Sequence, residues 1–247
     1  MIMITSLQNE KVKYWLKLKQ KKFRDSEGVY LVEGSHLVSE ALKHHLVREI
    51  ISLKEEAYPK TYVVTKEILK KLSSQVTPDD IFAVVYKKKE EKLEGPLLLL
   101  DGLQDPGNLG TIIRSACAFS FKNICLSLDT VDLYNEKVIR STEGMHFNCN
   151  IVRTDLENLL ITLKNEGYHI YTTDVKEGKN LKDISFPYKS AFIIGNEGKG
   201  VKESIAFLAT DYLHIPMDLA CESLNAGVCA SIIMYEFRRG LTVKNNL

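Results

Sequence analysis

Between Asn9 and Lys22, apolar Val12, Trp15, Leu16 and Leu18 recur among lysines at a rough helical spacing. This predicts a helix with one buried face. Gly28–Gly34 then reads GVYLVEG, a strand bounded by glycines, and Ser35–Leu42 reads as a helix capped by Ser35. Strands over Val47–Ser52, Thr61–Thr65 and Ile81–Tyr86, with a helix over Lys66–Leu72, complete a small α/β unit. The run KKKEEKLEGP at Lys87–Pro96 has the composition of a solvated linker. A boundary there divides the chain into domains over residues 1–92 and 96–247.

The alternation then restarts. Leu97–Leu100 is four leucines in succession, as expected of a strand covered on both faces. A helix over Leu109–Phe119, a strand over Asn123–Leu128, a helix near Asp155–Asn165 and strands at His169–Thr173 and Ala191–Gly195 follow. A helix over Val201–Leu208, a strand over Tyr212–Ile215 and a last helix from about Asn225 to Arg239 end the series. Such alternation predicts an α/β fold with a parallel sheet, whose ligands sit beyond the carboxyl ends of the strands.

Composition narrows the class. No segment approaches the ~20 continuous apolar residues of a membrane helix, and MIMITSLQNEKVKYW lacks the plan of a signal peptide. Five cysteines with no C-x-x-C pair speak against a disulfide framework and structural zinc. No membrane and no metal are expected, and the cytoplasm is the expected compartment. The net charge of +1 conceals an asymmetry: residues 1–95 hold 18 Lys+Arg against 14 Asp+Glu, and the remainder carries an acidic excess. Lys11, Lys13, Lys17, Lys19, Lys21, Lys22 and Arg24 form a basic stripe. It reads either as a phosphate-binding surface or as a solvated helix face.

Three strand-to-helix turns carry candidate chemistry. In DGLQDPGNLG (Asp101–Gly110), Pro106 and Gly107 make a tight turn ahead of a helix bearing Arg114. There Asn108 is either a functional amide or simply the N-cap. In FIIGNEGKG (Phe192–Gly200), Gly195, Gly198 and Gly200 surround Glu197. The spacing is that of neither a P-loop nor a dinucleotide fingerprint, and a carboxylate there suits a cationic ligand or a hydroxyl donor. The third turn runs from Ile215-Pro216-Met217 to Glu222-Ser223-Leu224-Asn225, where Ser223 and Asn225 can act as helix caps.

In this order, DPGNLGTIIRSA, FIIGNEGKGV and IPM…ESLNAGVCASIIMYEFRR resemble the three signature motifs of the SpoU (TrmH-like) RNA methyltransferases. The resemblance covers about residues 97–240. Weaker likeness upstream, at Arg24…Val29–Gly34 and Thr77-Pro78…Ile81–Val85, points to the substrate-binding domain that many members carry. The resemblance implies a SPOUT-type parallel sheet with a C-terminal trefoil knot, preceded by a small α/β RNA-binding domain, and a homodimer formed through the knotted domain. It implies methyl transfer from S-adenosylmethionine to a ribose 2′-hydroxyl, with ribosomal RNA ahead of transfer RNA as substrate. Matching positions assign Gly195, Ile215 and Leu224 to the cofactor, and Asn108, Arg114, Glu197, Ser223 and Asn225 to the active site. A guanidinium stays protonated at ordinary pH, so Arg114 is expected to clamp a phosphate rather than act as base. The rival reading is a knotted RNA-binding protein without catalysis, but none of the polar site positions is eroded.

Overall fold

The computed structural model describes residues 2–173, 178–218 and 220–245. In chain order the elements are β1 (Ile2–Ile4), α1 (Glu10–Lys17), α2 (Lys21–Glu27), β2 (Val29–Glu33), α3 (Ser35–Lys43), β3 (Val47–Ser52), β4 (Thr61–Val64), α4 (Lys66–Leu72) and β5 (Ile81–Tyr86). Then come β6 (Leu97–Leu100), α5 (Pro106–Ala118), β7 (Asn123–Leu126), α6 (Glu136–Ser141), β8 (Asn150–Arg153), α7 (Leu156–Asn165) and β9 (His169–Thr173). The last are β10 (Lys179–Asn180), β11 (Ser190–Ile194), α8 (Glu203–Ala206), β12 (Asp211–His214) and α9 (Ala226–Asn245). Among the described residues no helix is long and apolar enough to cross a membrane.

The chain forms two units, residues 1–89 with 132–147, and 90–131 with 148–247. The sequence pattern suggested one boundary between 92 and 96. Instead the segment Asp132–Phe147, which contains α6, belongs to the first unit.

The first unit is a mixed sheet ordered β1-β4-β3-β5-β2, with β1, β4 and β3 parallel and β5 antiparallel to both neighbours. Alternation along its strands feeds two cores. Val29, Phe82 and Val84 join Trp15, Ile68 and Leu72 on one face, while Tyr30, Ala83 and Val85 join Leu37, Ala41, Ile139 and Phe147 on the other. The predicted helix over 9–22 is two helices, broken at Leu18–Gln20, and Ser35 caps nothing with its side chain.

Most of the basic stripe is engaged inside this unit. Lys11 pairs with buried Glu49 at 2.8 Å, Lys13 with Glu10 at 2.8 Å and Lys21 with Asp25 at 2.5 Å. Lys19 donates to the carbonyls of Lys71 and Ser73 at 3.1 and 3.2 Å. Arg24 is buried, donates to the carbonyls of Leu18 and Lys19, and pairs with Asp132. Of the seven, Lys17 and Lys22 alone lack a side-chain hydrogen bond or ion pair among the described residues, and the Lys17 ammonium lies over the Phe23 ring. Trp15 is fully buried and its Nε1 donates to Glu49 at 2.6 Å, so it is a core residue.

His146, also buried, bridges β2 and α6. Thr142 Oγ1 donates to the Ile139 carbonyl, so it accepts from His146 Nδ1 at 2.8 Å, which leaves Nε2 to accept from the Tyr30 hydroxyl at 2.8 Å. Burial pushes this imidazole down to about 3, and it is neutral in the fold.

The second unit is an all-parallel sheet ordered β10-β12-β9-β11-β6-β7-β8. Leu97 and Leu99 face α7 and α8 through Leu160, Leu163 and Ile205. On the opposite face Phe121, Phe192 and Phe237 pack edge-on with ring centroids 5.1–5.8 Å apart, uniting β11 with α9 and the end of α5.

Candidate active site

Helix α5 begins earlier than the pattern suggested. Asp105, not Asn108, is the N-cap, its Oδ1 accepting from Asn108 N at 2.8 Å, and Pro106 occupies the first turn. A proline there forfeits no helical hydrogen bond. Asn108 thus lies inside the first turn, and its side chain is released from capping.

That amide joins all three candidate turns. Asn225 Oδ1 caps α9 by accepting from the N–H groups of Gly227 and Val228 at 2.9 and 3.2 Å. Its Nδ2 donates to Asn108 Oδ1 at 2.9 Å, and Asn108 Nδ2 donates to Glu197 Oε1 at 3.0 Å. Glu197 also accepts from the backbone N–H of Asp105 at 3.1 Å and of Gln104 at 3.2 Å. Burial pushes the Glu197 carboxyl up, but these donors outweigh it and hold the group below its ordinary value. Glu197 is therefore ionised and held by three donors, a brace for the Asp101–Asn108 turn and no reservoir for a proton.

Two further bonds fasten the same loops, neither expected from sequence. Asn196 Nδ2 donates to the Gly102 carbonyl at 2.7 Å, and buried Asp101 accepts from Lys202 N at 2.8 Å. The Asp and Asn flanking the glycines were the available signal, but polar residues in turns usually serve their own loop.

Beyond the ends of β9, β11 and β12 lies a cavity of about 360 Å³. Gly195, Ile215 and Leu224 all line it, with Ser223 and Glu197 at its wall and Ile194, Leu213 and Met217 supplying apolar surface. Thr173 and Cys229 are lining residues that the sequence reading did not single out. A Cβ on Gly195 would sit 2.2 Å from Gly200 C and 2.3 Å from Val201 N, so only glycine lets the loop close on itself. The volume suits a small molecule. Apolar walls, exposed backbone and the Glu197 carboxylate suit an amphipathic ligand carrying positive charge, and S-adenosylmethionine meets that description.

Arg114 stands apart. It is exposed on α5, does not line the cavity, and makes no hydrogen bond or ion pair among the described residues. Glu197 braces the loop and not this arginine. The structure thus gathers seven of the eight candidate residues around one cavity and its polar rim, and leaves the guanidinium free.

The SpoU rRNA methylase family matches residues 95–235, and the MRM3-like substrate binding domain matches residues 9–83. The 23S rRNA (guanosine(2553)-2′-O)-methyltransferase RlmP of Bacillus subtilis is 38% identical over 245 residues, covering 95% of this chain and 98% of that protein. The AdoMet-bound rRNA methyltransferase from Sinorhizobium meliloti aligns with a TM-score of 0.87 at 26% identity, over 97% of this chain and 98% of that one. The SpoU methyltransferase AviRb from Streptomyces viridochromogenes, in complex with AdoMet, gives 0.84 at 25% identity, over 95% and 99% of the two chains.

Proposed function

The chain belongs to the SpoU rRNA methylase family, and from that membership we propose that it methylates the ribose 2′-hydroxyl of a nucleotide in structured RNA, ribosomal RNA first, using S-adenosylmethionine. The observation that carries this reading is the convergence of Gly195, Ile215 and Leu224 on one cavity whose edge holds the Asn225–Asn108–Glu197 chain.

Bound S-adenosylmethionine supplies an electrophilic methyl group on a sulfonium. The protein's part is placement, which can account for much of such a barrier. Backbone groups at Gly195, Ile215 and Leu224 hold the cofactor, and Ile194, Leu213 and Met217 exclude water from it. Ser223 and the rigid Asn108–Asn225 amide pair orient the ribose. Arg114, whose side chain has no partner among the described residues, clamps the adjacent phosphate and stabilises negative charge on the attacking oxygen as the hydroxyl proton passes to solvent.

The first unit is the RNA-reading module, with affinity resting on Lys17, Lys22 and the α4 lysines rather than on the whole Lys11–Arg24 stripe. The second unit forms the homodimer. Supporting this, α9 exposes Val228 and Tyr235 at 47% and 51%. The trefoil knot is proposed from family membership, with residues 95–235 matching the SpoU rRNA methylase family. A cytoplasmic setting agrees with five cysteines that form no disulfide.

The test is to incubate the full chain with methyl-labelled S-adenosylmethionine and unmodified ribosomal and transfer RNA transcripts, then to map the product. Label on a ribose 2′-oxygen of ribosomal RNA is expected. Label on a base, or none in any RNA, would sink the reading.

A further inference from the structure

A second cavity, of about 460 Å³, adjoins the first and shares Asn196, Glu197, Lys199 and Gly200 with it. Its far side is Asp101, Gly102, Gln104, Asp129 and Lys202, from the segments that follow β6 and β7 and from the end of the glycine loop. Three carboxylates face two lysines there, which disfavours a phosphate.

The unused hydrogen-bonding capacity is more specific. Asp129 and Lys202 are each about half exposed, at 53% and 50% of their side chains, and pair at 2.8 Å between Oδ2 and Nζ. Asp129 Oδ1 accepts from the Ser127 hydroxyl at 2.7 Å. Each carboxylate oxygen can accept two bonds, so among the described residues each keeps one open site. Lys202 Nζ donates one proton to Asp129 and lies 3.2 Å from Asp101 Oδ1 as an ion pair, so among the described residues at least one of its three protons is unused. Buried Asp101 accepts from the backbone N–H of Lys202 at 2.8 Å, which fixes the main chain that carries this lysine. What remains is two adjacent acceptors beside one donor.

Among the RNA bases only guanine presents the complement on its Watson–Crick edge: N1–H and the N2 amine side by side, next to the O6 acceptor. Adenine and cytosine offer one amine beside a ring acceptor, and uracil one N–H between two acceptors. We propose that this cavity takes the guanine base of the nucleotide being methylated, with Asp129 accepting from N1–H and N2–H and Lys202 donating to O6. An extruded base read on this edge is a general solution for enzymes that must isolate one nucleotide. The ribose then falls at the wall shared with the cofactor cavity. The source of the base rests on the RNA methyltransferase reading, whereas the pocket's selectivity does not.

The experiment titrates the full chain with GMP, IMP and AMP by ligand-observed NMR. The phosphate is common to all three, and IMP differs from GMP only in lacking the N2 amine. GMP is expected to bind about tenfold more tightly than AMP, with IMP between them. The near-isosteric Asp129→Asn should bring GMP down to the AMP level. Equal binding of the three nucleotides, or a preference that survives D129N, overturns the assignment, and the wild-type GMP–IMP comparison stands even if the variant misfolds. Mapped methylation at adenosine, cytidine or uridine overturns it as well. Guanine selectivity with no RNA methylated would sustain the pocket and defeat the enzymatic reading instead.

Discussion

Asn225 donates its side-chain amide to Asn108 Oδ1 at 2.9 Å, while its own Oδ1 caps the last helix. One residue therefore does a structural and a site-building job with different atoms, and the two can be separated. Asn225→Asp keeps the acceptor but loses the donor. It should leave the melting temperature nearly unchanged and lower kcat/KM about tenfold, the worth of one hydrogen bond. Asn225→Ala loses both, so it should also cost about 1 kcal/mol of stability, or about 2–4 °C. Equal activity of N225D and wild type would show that the Asn225–Asn108 contact only holds the helix.

Gly195→Ala tests the closure of the cofactor cavity. The added Cβ meets the Gly200 carbonyl carbon at 2.2 Å and the Val201 nitrogen at 2.3 Å, both backbone, so neither can turn aside. Overpacking of this kind costs about 1–3 kcal/mol. Loss of S-adenosylmethionine binding by calorimetry is expected, with a modest fall in melting temperature. Unaltered affinity would mean that the cofactor is held elsewhere.

Much of this arrangement was legible in the residues. Leu97–Leu100 announced a strand buried on both faces, and the three turns were identifiable because caps and glycines crowd where strands end. The rest depended on partners distant in sequence. Lys11 looks like a free surface cation until Glu49, 38 residues away, is seen to claim it. Asn150–Arg153 is too short for a period to show, and α6 departs to the first unit for reasons that lie in Ile139 and Phe147 meeting Tyr30 and Val85. Asp105-Pro106 did carry the true start of α5, but Asn108 is an equally good cap by residue type, and only the geometry separates them.

Glu197 fixes the pH response of the site. Its folded value lies below the ordinary carboxylate one, so the bracing it provides is complete above about 4.5 and is lost only as pH falls through the lower folded value. Affinity for S-adenosylmethionine should therefore stay flat from pH 8 to pH 5. Glu197→Gln places an amide nitrogen where one of three donors needs an oxygen, and should weaken binding at every pH. A wild-type affinity that declined between pH 7 and pH 5 would contradict an ionised carboxylate held by these three donors.

Arg114→Lys separates charge from shape. Because the guanidinium has no intramolecular partner among the described residues, the substitution should leave the melting temperature unchanged. A lysine keeps the charge but cannot grip a phosphate through two parallel bonds. Turnover on RNA should fall tenfold or more, with S-adenosylmethionine affinity intact. Near-normal turnover would remove the phosphate clamp from the mechanism.

The first unit carries its own acid sensitivity in His146. Its imidazole is neutral in the fold, with a value near 3 against an ordinary 6.5. Between those values the unfolded chain binds a proton that the folded chain refuses, so stability falls as pH falls, by up to about 1.4 kcal/mol per pH unit. Above pH 6.5 the group contributes no pH dependence. Trp15 is the single tryptophan and sits in this unit's core, so its fluorescence reports unfolding of that unit. His146→Gln can still bond Tyr30 and Thr142 but cannot titrate. In urea melts the wild type should lose ground to H146Q steadily from pH 6.5 to pH 4.5, whereas parallel profiles would mean that the imidazole accepts a proton in place and the buried tautomer assigned from Thr142 is wrong.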